Sequence, residues 1–516
     1  VGPTSVERLL STVSTGPGAR TLRSWLLAPA STAEVRARQD AVKELSPRID
    51  LRQELAARAR VAGLGRADLT ESFLAWAEED SWLEPRWPLV WTARAVPLLT
   101  LLLFLCQLAG WLDGYWWLLG PFVGIVFLGI WTEPIGEVID RISAGQRFIG
   151  AYGDPLELLE ELEAESKPLV RVRDLARSGE GSASRALRGL ERWITTADVR
   201  YNHLIHVPLQ VTLFWDVHVL RALEKWRARN GASVAAWLRA VGEAEALAAL
   251  AALRADNPGW CFPELVGSGG EEPEMGQGIE SGADGSPEGR GKPSAGRRVV
   301  ARGVGHPLIP PERSVVNDLE VGPPGTFLLV TGSNMSGKST LLRSIGVNCV
   351  LALAGGPVCA SEFRLPRVRI LTSMRTEDSL ARGLSGYMAE LRRVAFVVEG
   401  SRGNGEDPAS RGVPLYLLDE PLQGTNEAER REAVRIVLEQ LLDAGAIGAV
   451  ATHDLRLHHT RRLEEAARAV HFTSRVEDEG GDLRLTFDYR LRTGPATSTN
   501  ALDLLRLVGL GREEGS

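Results

Sequence analysis

The sequence predicts an α + α/β protein, with a helical first half that contains a two-helix hairpin and an α/β domain after it. Three observations predict this. Apolar residues recur at helical spacing over much of residues 1–266. Two uncharged runs of eighteen residues each, 95–112 and 115–132, interrupt that pattern. From residue 299 on, short apolar runs end in glycine, in paired acids or in histidine, as strands do when they finish at a site.

The α/β domain is built around TGSNMSGKST, residues 331–340. Gly332 to Ser339 spells G-x-x-x-x-G-K-S. FLLV at 327–330 precedes it as a buried strand, and LLRSI at 341–345 continues as a helix. That context is what a phosphate loop needs. The backbone N–H groups of Gly332, Ser333, Asn334, Met335, Ser336 and Gly337 turn toward phosphate oxygens, and the helix start at Lys338, Ser339 and Thr340 adds its partial positive charge. Lys338 reaches the β- and γ-phosphates, and Ser339 binds Mg²⁺. LYLLDE at 415–420 reads as a Walker B strand. Its Asp419 holds Mg²⁺ through water and its Glu420 polarises the attacking water. VATH at 450–453 is a further strand, ending in His453, at the place of a γ-phosphate sensor. The residues thus predict a P-loop ATPase that takes ATP and Mg²⁺. Blander alternatives are a glycine turn with a surface lysine, an acidic helix cap and an exposed structural histidine.

Taken together, TGSNMSGKST, DSLARGLSGYMAE (378–390), LLDEPLQGTN (417–426) and ATHDL (451–455) resemble the ATPase domain of the MutS family. The Asn-Met inside the loop and the Gly-Thr-Asn turn at 424–426 carry the likeness beyond a generic phosphate loop. An ABC transporter would show LSGGQ where this chain has LSGYM. The resemblance implies an ABC-type ATPase. It places Ser385 in the signature segment that completes the partner subunit's site, and so implies a homodimer with composite ATP sites. It makes His306, in GHPL at 305–308, a neighbour of adenine, and turns the Gly-Thr-Asn segment toward the dimer partner. It implies FDYRL (487–491) and NAL (500–502) as the final strand and closing helix, and DNA, with mismatch repair, as the family's business. GARTLRSWLLAP (18–29) and RQDAVKEL (38–45) resemble the start of the MutS core. Asn202 and Trp215-Asp216 fall where the MutS lever and clamp carry similar residues. Phe262-Pro-Glu264 spells the F-x-E of a mismatch wedge. That wedge belongs to an N-terminal domain with no counterpart here, so no wedge role is expected.

Composition bounds the rest. The chain of 516 residues is long enough for about three domains. Its net charge of −7 gives no global basic field, so any DNA contact would come from local patches. The four cysteines, Cys106, Cys261, Cys349 and Cys359, are scattered without a C-x-x-C pair. They argue against a disulfide scaffold and a zinc site, and suit a reducing compartment. The sequence opens at Val1 rather than Met, as a piece of a longer protein would.

Along the chain, residues 1–85 read as a helical, core-like start. TGPGAR at 15–20 is expected to be a turn before a helix over 21–27, and Ser31 or Thr32 to cap the next helix. Residues 86–134 hold the hairpin. Each uncharged run is near the length that crosses a bilayer, about twenty residues. Trp87, Trp91, Trp111, Trp116, Trp117 and Trp131 sit at the ends of the runs, where an aromatic belt lies. Pro97 and Pro121 are expected near helix starts. Arg86, Arg94, Arg141 and Arg147 flank the pair, and only Asp113 marks the turn. Both ends and the ATPase then face the cytoplasm, with the protein in the cytoplasmic membrane through residues 95–132. The alternative is a buried hairpin in a soluble core. Residues 135–266 return to amphipathic helix, with Leu156, Leu159 and Leu162 on one face and Leu187, Leu190 and Trp193 on another. Residues 267–298, rich in Gly, Glu, Ser and Pro, read as a flexible linker, and 299–516 as the ATPase domain.

The expected function is a membrane-anchored, dimeric, MutS-like ATPase with DNA as partner by family resemblance. One rival is a membrane-associated ATPase that acts on protein or membrane partners without DNA. Another is a transporter ATPase, which two spans and LSGYM oppose.

Overall fold

The computed structural model describes residues 5–63, 67–146, 150–179, 181–266, 297–333, 335–374, 386–403, 412–423, 426–454, 460–479 and 482–496. The chain forms two compact units. One comprises Leu10–Ser24 and Asp40–Ala252; the other comprises Val1–Leu9, Trp25–Gln39 and Leu253–Ser516.

The helices in chain order are α1 (Val6–Leu9), α2 (Gly16–Leu27), α3 (Thr32–Leu45), α4 (Ile49–Ala62), α5 (Ala67–Glu78), α6 (Trp87–Leu108), α7 (Leu119–Gln146), α8 (Gly153–Glu160), α9 (Lys167–Ala176), α10 (Ala183–Ala197), α11 (His203–Leu213) and α12 (Trp215–Asp256). Ser31 caps α3, accepting from the Glu34 N–H at 3.2 Å.

Four sequence expectations need correction in the helical part. The expected turn at 15–20 is the first turn of α2, which starts at Gly16. Proline is tolerated there because the first N–H groups of a helix have no internal partner. Thr15 caps that turn, its Oγ1 accepting from the Gly18 N–H at 3.1 Å. Gly18 must lack a Cβ because the buried Glu245 carboxylate occupies that space. Glu245 in turn accepts from the Ser14 N–H at 2.8 Å and the Thr15 N–H at 3.3 Å, while burial raises its pKa. On α10, Leu187, Leu190 and Ile194 are buried, whereas Trp193 is exposed. The helical period of 3.6 selects the fourth residue after Leu190 rather than the third. Pro97 lies well inside α6, because that helix begins at Trp87, ahead of the uncharged run. Finally, the helical pattern expected over 135–266 does not run unbroken past Leu213. Phe214, at φ +53°, separates α11 from α12.

α6 and α7 form an antiparallel pair. Gly120 lets Thr100 approach, and Phe104 meets Trp117 edge-on with centroids 5.6 Å apart. Only 6% of the most apolar window of the first helix is buried, and 22% of that of the second.

The second unit is α/β. Its elements are β1 (Glu264–Val266), β2 (Val299–Val304), β3 (Asn317–Val321), β4 (Phe327–Thr331), α13 (Lys338–Ala354), β5 (Glu362–Pro366), β6 (Val368–Ser373), α14 (Gly386–Arg402), β7 (Val413–Asp419), α15 (Glu427–Asp443), β8 (Ile447–Ala451), α16 (Arg461–Ala466), β9 (Ala467–His471), β10 (Ser474–Glu479), β11 (Asp482–Phe487) and β12 (Arg492–Thr493). The main sheet has the order β12-β9-β4-β8-β7-β6, parallel except at β12. A smaller sheet runs β1-β5-β2-β3, and β10 pairs with β11. β4 and β8 are buried at every position, as parallel strands covered on both faces should be. Leu342, Ile345 and Cys349 of α13 are buried. A core cluster joins Val394, Val397, Leu438 and Leu441 of α14 and α15 to Tyr416 and Leu418 of β7.

FDYRL does not form the final strand. β11 stops at Phe487, and Tyr489 takes φ +53°, which strand geometry does not admit. NAL at 500–502 and the linker at 267–296 lie outside the described residues.

Candidate functional site

Three strand ends converge on one edge of the main sheet. Registration places Val330 of β4 and Asp419 of β7 both opposite Ala451 of β8. Segments about a hundred residues apart in sequence therefore finish side by side. The carboxyl edge of a parallel sheet, where strand order reverses, is the usual ligand position of open α/β folds. A cleft of about 1330 Å³ opens there.

The glycine turn after β4 needs its glycines. Gly332 has φ +144° and Gly337 φ +107°. A Cβ on Gly332 would sit 2.8 Å from Ser336 Oγ and 3.0 Å from the Phe472 carbonyl. The turn delivers Lys338 to the first position of α13, where its side chain is 4% exposed. Its Nζ donates to the carbonyls of Gly332 and Ser333, each at 2.9 Å, and stands 3.6 Å from Glu420 Oε1. Burial lowers the pKa of this ammonium, and the charges of Glu420 and Asp419 oppose that effect. Met335, also at positive φ, projects into solvent, and Ser339 and Thr340 line the cleft. Asn334 lies outside the described residues.

Glu420 follows β7 in a left-handed conformation, φ +46°. Its N–H bonds to the Ala451 carbonyl at 2.9 Å, and its carboxylate accepts from the Gln423 amide. A non-glycine residue held in that region costs on the order of 1 kcal/mol or more, and such residues cluster at functional sites. His453, beyond β8, brings Nδ1 to 3.6 Å from Glu420 Oε1. Lys338, Glu420 and His453 thus meet around one carboxylate. Asp454, next to His453, is held at 3.0 Å by Arg431 Nε.

Among the described residues Asp419 Oδ1 is buried with no hydrogen-bond partner, and so is Ser336 Oγ. A buried carboxylate oxygen left unpaired is costly unless a ligand completes it. With the Ser339 hydroxyl in the same cleft, the donors are hard oxygens, the type that Mg²⁺ selects. The residues present therefore fit that ion.

His306 lines the cleft too. Its Nδ1 accepts from the Leu308 N–H at 3.2 Å, and its pKa is lowered, first by burial and then by Arg343. Ser385 and the Gly424-Thr425 part of the Gly-Thr-Asn turn lie outside the described residues. Asn426 caps α15 by accepting from the Glu429 N–H at 2.9 Å.

Several lining residues escaped the sequence reading: Arg313, Arg343, Tyr387, Glu390, Phe472 and Tyr489. Glu390 Oε1 accepts from the Leu422 N–H at 2.5 Å and bridges α14 to the turn after Glu420, with its pKa raised by burial. Tyr489 is placed by Asn317, whose Nδ2 donates to the Tyr489 carbonyl at 3.0 Å and whose Oδ1 accepts from the Leu491 N–H at 2.7 Å. Glu390 closes the DSLARGLSGYMAE segment at 378–390 and was legible in principle. Asn317 and Tyr489 are 172 residues apart, and no local pattern joins them.

The C-terminal part of the chain has recognisable relatives among known proteins. The family model "MutS domain V" matches residues 328–513. The chain is 34% identical over 184 residues to "DNA mismatch repair protein MutS 2" of Haloarcula marismortui, covering 35% of this chain and 18% of that protein. It is 32% identical over 229 residues to "DNA mismatch repair protein MutS" of Thermus aquaticus, covering 43% of this chain and 26% of that one. It is 30% identical over 220 residues to "DNA mismatch repair protein MSH6" of Arabidopsis thaliana, covering 41% and 16%. The match thus spans about a quarter or less of the length of each of these relatives. The strand-end arrangement and this likeness coincide on the same residues, so that this C-terminal part of the chain is similar to domain V of MutS proteins.

Proposed function

We propose that the chain is a Mg²⁺-dependent ATPase of the MutS type that hydrolyses ATP to ADP and phosphate. The observation that carries this reading is the meeting of Lys338 and His453 on Glu420, each 3.6 Å from Oε1, beside an Asp419 oxygen that has no partner among the described residues. In the proposed cycle, Lys338 exchanges its two loop carbonyls for β- and γ-phosphate oxygens, and backbone N–H groups of the glycine turn accompany it. Glu420 orients the attacking water, and His453 bonds the γ-phosphate. Ser339 and Asp419 would hold Mg²⁺, which when bound would offset the phosphate charge. His306 flanks the base. Ser385 of a second copy completes each site, so the active form is a homodimer. Catalysis is positioning and charge neutralisation, with no covalent intermediate.

The same proposal anchors the protein in the cytoplasmic membrane through α6 and α7, with the ATPase in the cytoplasm. What supports this is the length, apolarity and bareness of the two helices. Helices apolar on every face belong inside a large core or a bilayer. DNA is the partner proposed from the relatives' names. The net charge of −7 and the apolar pair favour a second reading, an ATPase working on membrane or protein partners.

Glu420→Gln tests the chemistry. Turnover is expected to fall by about a hundredfold or more while ATP is retained, the size of effect seen when one transition-state contact is removed. Unchanged turnover would refute the assignment. DNA binding by protein in detergent, across a salt series with and without ATP, separates the two readings. Affinity that falls steeply with salt and responds to ATP supports DNA. No binding at low salt with ATPase intact supports the second reading.

A further inference from the structure

We infer that the elbow formed by α11 and the start of α12 is a third membrane-embedded element, a re-entrant wedge that presents its outer face to lipid acyl chains beside α6 and α7. This rests on the proposed reading of α6 and α7 as a bilayer hairpin.

α7 has two halves of opposite character. Ile135, Ile139 and Ile142 are buried, whereas Leu119, Phe122, Ile125 and Ile130 are exposed. The change falls near Thr132 and Glu133, so the apolar layer begins there. Below that level the chain leading into α11 is polar and tied down. Arg200 Nη1 donates to the Gly136 carbonyl at 2.7 Å and pairs with Asp140 at 3.2 Å, and the Tyr201 hydroxyl reaches Asp140 at 2.9 Å. Above that level α11 lies along the exposed half of α7. Gln210 Nε2 donates to Thr132 Oγ1 at 3.4 Å, and Phe214 meets Phe127 edge-on with centroids 4.9 Å apart. At Gly124 the absence of a Cβ makes room for the Val211 backbone. From Thr132 up to Gly124 is eight helical residues, or about 12 Å. The elbow tip therefore sits well within the layer that the bare half of α7 defines.

Its polarity is sorted in part as that layer requires, with His203, Thr212 and His218 the exposed exceptions. Leu204, Ile205, Val207 and Leu213 face outward, Leu204 at 89% exposure. His206, Gln210 and Asp216 face inward, buried, and bond to one another. His206 Nε2 is 2.9 Å from Asp216 Oδ1, and the Asp216 N–H donates to Gln210 Oε1 at 2.9 Å. Polar groups at membrane depth persist when they are turned inward and paired. The descending limb adds a second signature. Pro97 has no N–H, so the Ala93 carbonyl one turn earlier in α6 loses its helical donor. His218 Nε2 of α12 stands 3.3 Å from that carbonyl and replaces the missing donor. Prolines in spanning helices are tolerated where a neighbouring element re-satisfies the freed carbonyl. The chain then leaves the layer at Glu224, which accepts from the N–H groups of Trp82 and Leu83 at 2.7 and 3.2 Å. With eleven residues, α11 is too short to span a bilayer alone, so its continuity with α6 and α7 carries the assignment.

The test uses the full chain in vesicles containing brominated phospholipids, with single cysteines labelled by a small fluorophore. Cys106 alone reports the hairpin, Leu213→Cys and Leu204→Cys the elbow, and Val61→Cys the aqueous surface. Bromine at mid-chain is expected to dim Cys106 and Leu213→Cys and leave Val61→Cys bright. Leu204→Cys should respond more to bromine placed near the headgroups. A dimmed Cys106 with a bright Leu213→Cys overturns the wedge and leaves the hairpin standing. A bright Cys106 overturns the hairpin and the wedge with it. A bright Leu213→Cys that crosslinks to a second copy overturns the wedge in favour of a subunit interface.

Discussion

The central strands of the main sheet and helix α6 are made of the same material and end in opposite surroundings. β4 is Phe-Leu-Leu-Val-Thr and β8 Ile-Gly-Ala-Val-Ala, and both are buried at every position. α6 is as apolar between residues 95 and 108, yet Leu98 is 68% exposed and Leu102 57%. The backbone explains the difference. A strand leaves its N–H and C=O groups to be satisfied by neighbours on both edges, so an apolar strand must sit inside a sheet. A helix satisfies its own backbone and can leave the protein for an apolar solvent. An apolar run therefore states that water is to be avoided. The element it forms decides whether protein or lipid can replace it.

Truncations and charges at matched leucines sharpen or break this comparison. Leu417→Ala, at a fully buried position of β7, is expected to cost about 2–5 kcal/mol in chemical denaturation, since it leaves a cavity between packed layers. A cost close to zero would show that the sheet interior is loosely packed. Leu102→Arg places a charge at mid-span of α6. It should lower the membrane-bound fraction, with a penalty of about 2.5–3.5 kcal/mol on insertion. An unchanged membrane fraction would remove α6 from the bilayer. Leu102→Ala should have the smallest effect, within about 0.5 kcal/mol in detergent, because an exposed side chain leaves no cavity. If it costs as much as Leu417→Ala, α6 is packed against protein and the contrast fails.

The sequence exposed the site better than the scaffold around it. Asp419, Glu420 and His453 stand at the ends of apolar runs and Lys338 just past the glycine turn that ends another, and all four line one cleft. Chemistry at a strand end leaves a local trace, because a polar residue must interrupt an apolar run at a fixed place. Asn317 and Tyr489 leave no such trace, since their pairing depends on two backbone segments that only the folded sheets align. The start of α2 was misread because Gly-Pro-Gly signals a turn by propensity. A buried carboxylate contributed 227 residues later made a glycine necessary inside a helix.

The residues by themselves determined the element types, the strand-end chemistry, the uncharged runs and the family resemblance. All of these are written in spacing and composition over short windows. The tertiary structure decided which strand ends are neighbours, which face of α10 is buried, where α6 begins and that α11 folds back along α7. Each of those outcomes depends on groups distant in sequence, a Glu245 beneath Gly18 or a His218 beside the carbonyl that Pro97 leaves free, and no periodicity within a segment can record a partner that lies outside it.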